Sequence, residues 1–337
     1  MEACSEMKLV RPNRVRPNRV RPNRVRTSRA RTNCMRVSVQ YLLALVILIL
    51  GQRAGAVSDT MTPTWACEMA ARLCDAGWAV ENHGGKGGHP DLLAADRIIH
   101  ADDITDTLVI TAVVFRPGGL NRVTIVTEEE TGKLGITGED AAASLLASPF
   151  SRGEGVWGVV LINGGFFDKK NRPMGLLRVG GKNLNTAPRG GGFLSNGYFA
   201  MIGGSPVIQE FGRGREGLVP EKAELVLQSG PLLVCGSKVH KSVRRAALTR
   251  SSRSAIGLDR FGNIWMVVVR SPLGGISLRE MALMLVRPLS RGGLGLSNAM
   301  NLDGGSSTQM FLKTAGREMV RRGDGRPLPA WIAVVFP

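Results

Sequence analysis

The chain has 337 residues, with 44 Lys+Arg against 27 Asp+Glu and a formal charge of +17. Its 43% apolar residues can fill a real core, and 43 glycines with 21% charged residues exclude a disordered tail protein and a coiled coil. A charge of +17 points first to nucleic acid or an anionic membrane, but the location of that charge removes the reading.

Residues 1–36 hold eleven basic and two acidic residues, which leaves +8 for the other 301. Val-Arg-Pro-Asn-Arg repeats in tandem from Val10, Val15 and Val20. A proline in every repeat forbids a continuous helix, and nothing in the unit packs a core. Residues 41–50, YLLALVILIL, are apolar and uncharged. A bilayer-spanning helix needs roughly 20 residues, so the run is too short. Arg36 precedes it and Ala54-Gly55-Ala56 follows, the layout of a secretory signal peptide cleaved after Ala56. The expectation is a basic repeat leader over 1–34, an over-long gene start or extended n-region, then a signal peptide over 35–56. The protein is then secreted, periplasmic or held in the cell envelope. An uncleaved anchor is the alternative, and only that would bring the chain to a membrane. With the arm removed, no nucleic-acid partner is expected.

Cleavage leaves Cys67, Cys74 and Cys235, an odd set. On one continuous helix Cys67 and Cys74 would lie about 10 Å apart, too far for a disulfide, so one bridge requires a break between them and buried thiols are the alternative. His83 and His89 flank a glycine-rich loop but no third ligand is placed, so no metal and no cofactor are expected.

In chain order, a short helix is expected over 65–75, and strands over 107–115 and 122–126 around Pro117-Gly118-Gly119. A short helix follows over 141–146. Apolar runs broken by glycine then read as strands over 158–162, 175–179, 197–203, 224–234, 254–259 and 263–269, with a turn at Asp259-Arg260-Phe261-Gly262. Ser277 and Glu280 form a capping box for a helix whose apolar face is Leu278, Met281, Ala282 and Leu285, stopped by Arg287-Pro288. His240, close to Arg244 and Arg245, reads as part of a solvated basic loop. Residues 330–336, AWIAVVF, form a last buried strand. The fold class is α+β: a single mostly-β domain over 105–337 with a mixed sheet and a few packed helices, after a variable segment over 57–104. Strands and helices do not alternate, which excludes a doubly wound fold.

Two segments carry chemistry. An apolar strand delivers Asn163 into Gly164-Gly165, with Asp168 following; later Asn301-Leu302-Asp303 meets Gly304-Gly305 and the hydroxyls of Ser306, Ser307 and Thr308. Each alone is an ordinary turn in which Asn or Asp caps its own backbone. In order, with Pro173-Met174-Gly175-Leu176, Gln228-Ser229-Gly230-Pro231-Leu232-Leu233-Val234 and Arg253-Ser254-Ala255-Ile256-Gly257, they make five motifs. On these the chain resembles the phosphodiester glycosidase family, and within it the bacterial exported branch. Ser252, Ser254 and Ser306 depart from the family pattern, each keeping a hydroxyl or a small residue.

The resemblance implies a hydrolase acting on a carbohydrate or sugar-phosphate substrate, a sugar 1-phosphodiester or related cell-envelope glycan. Glycoside hydrolysis normally needs two carboxyl groups, and Asp168 and Asp303 are the carboxylates inside the matched motifs. Asp303 is expected as nucleophile or base, Asp168 as acid or sugar ligand, and Arg253 as phosphate clamp. Asn163 and Asn301 are expected to bond sugar hydroxyls, Gly164, Gly165, Gly304 and Gly305 to bring backbone amides close, and Ser306 or Ser307 to position phosphate or water. A non-catalytic carbohydrate-binding surface protein is the rival.

Overall fold

The computed structural model describes residues 65–76, 79–82, 92–100, 107–118, 121–127, 135–147, 156, 158–186, 192–212, 219–244, 246, 248–271, 274–314 and 317–336. The basic repeat, the apolar run over 41–50, the signal cleavage site and the His83/His89 loop lie outside the described residues.

The chain opens with helix α1 (Trp65–Asp75), strands β1 (Ala79–Asn82), β2 (Leu92–His100), β3 (Thr107–Phe115) and β4 (Arg122–Thr127), and helix α2 (Gly138–Ala147). There follow β5 (Gly158–Asn163), β6 (Leu177–Val179), β7 (Lys182–Asn185), β8 (Gly197–Ile202), β9 (Ser205–Glu210), β10 (Leu225–Ser229), β11 (Leu232–Cys235), β12 (Lys238–Val239) and the short α3 (Lys241–Arg244). The last part comprises β13 (Arg253–Asp259), β14 (Ile264–Arg270), α4 (Leu278–Val286), β15 (Leu296–Asn301), β16 (Met310–Thr314), β17 (Arg317–Arg322) and β18 (Ala330–Phe336).

These strands form three sheets: an eight-stranded one in the order β1-β2-β3-β14-β13-β15-β11-β12, and two five-stranded ones, β7-β6-β10-β8-β9 and β17-β16-β5-β18-β4. The expected mixed sheet is not found, for every strand pairing among the described residues is antiparallel. The turns explain this. Val179 pairs Lys182, Ile202 pairs Ser205 and Cys235 pairs Lys238, so each of three hairpins closes on two residues. Those residues, Gly180-Gly181, Gly203-Gly204 and Gly236-Ser237, all have positive φ. Such turns suit the strand twist and join antiparallel neighbours only, whereas a parallel pair needs a crossover of a dozen or more residues.

One core lies between the sheets. Ile256, Leu258, Met266 and Val268 of the large sheet meet Phe199 and Leu227 of the second and Val160, Ile162, Ile332 and Val334 of the third. The alternate residues face outward into separate layers. Trp265, Val267 and Val269 pack beneath α1 and α4, while Val159, Leu161, Trp331 and Ala333 pack beneath α2. Strands buried on both faces read as unbroken apolar runs, which is how β5, β14 and β18 stand in the sequence. The capping box forms as expected: Glu280 N donates to Ser277 Oγ at 3.2 Å and Ser277 N to Glu280 Oε2 at 3.0 Å. Cys67 and Cys74 share the single helix α1.

Two expected strands are altered. The run over 224–234 breaks at Gly230-Pro231, a cis peptide, and passes from the second sheet to the large one. The strand over 175–179 shortens to β6 because Gly175 and Leu176 are taken by Gln228. A Cβ on Gly175 would stand 2.6 Å from Gln228 O, and Leu176 N donates to Gln228 Oε1 at 2.8 Å.

Candidate active site

The ends of β5, β10, β13 and β15 bring all five motifs together, and Asn163 is the knot. It is 1% exposed. Its Nδ2 donates to Asp303 O at 2.9 Å and Gly164 O at 3.2 Å, and its Oδ1 accepts from Ser254 Oγ at 2.6 Å and Gln309 N at 3.1 Å. Asp303 N returns to Gly164 O at 3.1 Å. Asn301, equally buried, donates through Nδ2 to Gly230 O at 2.9 Å and Leu302 O at 2.5 Å. The Nδ2 groups of both asparagines are spent on backbone carbonyls, and Asn163 Oδ1 on Ser254 and Gln309, so Asn163 shapes the site from behind, while Asn301 Oδ1 is buried with no partner among the described residues.

The glycines divide in the same way. Gly164 N donates to Ala330 O, Gly304 N to Asp303 Oδ1 and Gly305 N to Ser252 O, so these three amides are already committed. A Cβ on Gly164 would stand 2.9 Å from Ala330 O, and Gly305 has φ +61, so close packing and a left-handed turn require glycine there. The N–H groups of Gly165 and Ser306 donate to no acceptor among the described residues.

Asp303 is partly buried on this turn. Burial raises its carboxyl above the usual carboxylate range, against the Ser307 hydroxyl, the Gly304 N–H and the charge of Arg326, which draw it back. Arg253 leads into β13 and is also partly buried; its Cδ and Nη1 lie 3.6 Å from the position a Cβ would take on Gly304. Its Nε donates to Ile276 O at 3.3 Å and its Nη2 to Thr249 O at 3.1 Å. No carboxylate pairs with it among the described residues. A half-desolvated guanidinium held by carbonyls alone attracts an anion.

Asp168 behaves differently. Its Oδ1 accepts from Lys170 N at 2.8 Å and Arg172 N at 3.0 Å, and its Oδ2 from Arg172 Nε at 3.0 Å and Nη2 at 2.7 Å. The Arg172 side-chain bonds foremost hold its carboxyl at about 2. A group that stays ionised to that pH has no proton to give near neutrality, which speaks against the first of the two roles expected of Asp168, acid or sugar ligand, and leaves the second open. Asp168 clamps the loop that follows the Gly-Gly turn.

Sequence reasoning also missed contributors. Gln309 and Arg326 lie outside the five motifs, yet Gln309 Nε2 donates to Arg326 O at 3.0 Å and Arg326 Nη1 to Ser306 Oγ at 2.5 Å. No local pattern marks either, because their partners come together only through the sheet. His240 departs from the solvated loop expected: it is 7% exposed, with Nδ1 2.8 Å from Ser242 Oγ and Nε2 3.5 Å from Glu210 Oε1. Burial foremost lowers its pKa. Among the described residues no three His, Cys, Asp or Glu side chains are grouped to hold a metal ion.

The catalytic domain of zebrafish N-acetylglucosamine-1-phosphodiester α-N-acetylglucosaminidase, auto-inhibited by its pro-peptide, has a similar fold. Its TM-score is 0.53 at 16% identity, over 77% of this chain and 87% of that one. A hypothetical protein from Synechocystis gives a TM-score of 0.43 at 18% identity, over 73% of this chain and 62% of that one. No curated protein matches the sequence. The model of the phosphodiester glycosidase family matches residues 158–335, just over half of the chain and the span that holds all five motifs. The chain belongs to the phosphodiester glycosidase family.

Proposed function

We propose that this protein is an exported hydrolase that cleaves the anomeric bond of a sugar 1-phosphodiester or a related cell-envelope glycan. The observation that carries the reading is a raised carboxyl, Asp303, on a Gly-Gly turn against which packs a partly buried guanidinium, Arg253, with no carboxylate partner among the described residues. The name of the zebrafish relative points to the same substrate class.

The chemistry then needs only one carboxyl. A glycoside with an alcohol leaving group needs an acid to protonate the departing oxygen, but a phosphate monoester leaves as a stabilised anion. Arg253, with the free amides of Gly165 and Ser306, meets that developing charge. Asp303 either attacks the anomeric carbon or takes a proton from the attacking water. The C1–O bond breaks, water supplies the new hydroxyl, and the aglycone keeps its phosphate. Retention of anomeric configuration marks the nucleophile and inversion marks the base. Export rests on the apolar run over 41–50 and its small-residue cleavage site, and sequencing the mature N-terminus tests it: Val57 should be first.

A panel of sugar 1-phosphodiesters and envelope glycans, assayed for new reducing ends, tests the activity. One observation favours the rival, a non-catalytic glycan-binding protein: Asp168 is locked in its own loop, leaving a single carboxyl at the turn. Binding of a sugar-phosphate polymer with no reducing sugar released would establish that rival.

A further inference from the structure

Arg326 lies in none of the sequence motifs, but the fold ties it to the same knot as Asp303. Gln309 exchanges backbone bonds with Asn163, N to Oδ1 at 3.1 Å and O from Asn163 N at 3.2 Å, and holds Arg326 O through Nε2 at 3.0 Å. Gly323, at φ +134, presses the preceding strap onto Gln309, where a Cβ would stand 2.4 Å from Gln309 Cγ. The Arg326 side chain is exposed and bonds Ser306 on the turn whose Ser307 hydroxyl bonds Asp303. It pairs with no carboxylate among the described residues. The loop thus gathers around one carboxyl two guanidinia, Arg253 and Arg326, that form no ion pair among the described residues.

We propose that Arg326 is a specificity-determining residue: with Arg253 it grips the substrate phosphate, so that the Asp303 loop accepts an anionic phosphodiester and turns away an uncharged glycoside. The proposal rests on the reading of this site as a sugar-phosphodiester hydrolase. A second guanidinium over the same loop adds positive potential that favours an anionic group and gives an uncharged glycoside no such gain. A forked guanidinium resting on a hydroxyl can shift to a phosphate oxygen and keep its charge-assisted bonds.

The test is calorimetric titration of the mature protein and of Arg326→Met and Arg326→Lys with the methyl ester of an N-acetylglucosaminyl methylene-phosphonate, which cannot be hydrolysed. The uncharged methyl C-glycoside serves as control. Arg326→Met should weaken phosphonate binding by about tenfold, Arg326→Lys should recover most of it, and neither should change binding of the C-glycoside. The carboxyl titration of Asp303, followed by NMR, should move to higher pH in Arg326→Met and return in Arg326→Lys. A residue that merely held Ser306 would weaken phosphonate and C-glycoside alike in Arg326→Met. No phosphonate binding by the parent, or equal weakening of both ligands, would overturn the proposal. Tight, Arg326-dependent phosphonate binding without turnover of any phosphodiester would instead sink the hydrolase reading and leave Arg326 as the anion selector.

Discussion

Burial drives Asp303 toward its protonated form while Ser307, Gly304 and Arg326 draw it back, and that opposition has two measurable consequences. Asp303→Asn should abolish turnover. It should also raise the melting temperature at pH 8, because a carboxyl raised in the folded state favours folding at low pH and loses that contribution as pH rises through its folded value. Near pH 3 the variant and its parent should melt together; a variant less stable at pH 8 contradicts the assignment. Asp168 has the opposite sign. Lowered to about 2, it supports its loop above the ordinary carboxyl range and loses that support as pH falls toward 2. Asp168→Asn should leave the rate within about threefold, because its carboxyl is taken up by its own loop, while speeding amide exchange at Lys170 and Arg172. Asp303, Asp168 and Arg253 all stand in the motifs by which the sequence marks its candidate site. Which carboxyl is free to react is not legible, since the decisive neighbour of Asp168 is the unremarkable Arg172.

At the scale of elements, the site is a set of strand ends laced by side chains. Ser254→Ala would leave Asn163 Oδ1 with one fewer donor in a buried setting, and should cost about 1–3 kcal/mol in urea titration, with activity falling as the loops loosen. Ser277→Ala, at the start of α4, should cost about 1 kcal/mol and leave activity unchanged, because that helix backs the far face of the large sheet. These two serines show what sequence can convey. The capping box closes over three residues and is written in the local pattern. The bonds of Asn163 reach across 91, 140 and 146 positions, so the residue reads as a turn-former until the sheets place it. The broken strand at Gly230-Pro231 belongs to the same class: its two halves look continuous, and only their different sheets separate them.

At the scale of the molecule, three antiparallel sheets share one core, and the strands nearest its centre, β5, β14 and β18, are the apolar runs most visible in the sequence. Ile332 of β18 is fully buried, and Ile332→Ala should cost about 2–5 kcal/mol by loss of packing and creation of a cavity. β15 and β16 are harder to see, since LSNAMN carries Ser297 and Asn298, which bond Leu258 and Gly236, and Asn301 of the site, and in MFLKT only three apolar residues lead into a lysine. Sheet partners were not visible either, because antiparallel order depends on turn conformation and on contacts far apart in the chain. The charge of +17 resolves along the same division. More than half sits in residues 1–36, and two arginines and one carboxylate stand at the candidate site. The most direct measurement is release of reducing sugar from a sugar 1-phosphodiester by the mature protein beside its Asp303→Asn variant, with circular dichroism confirming equal folding. The account predicts steady turnover by the parent and none above background by the variant; equal turnover by both would contradict it.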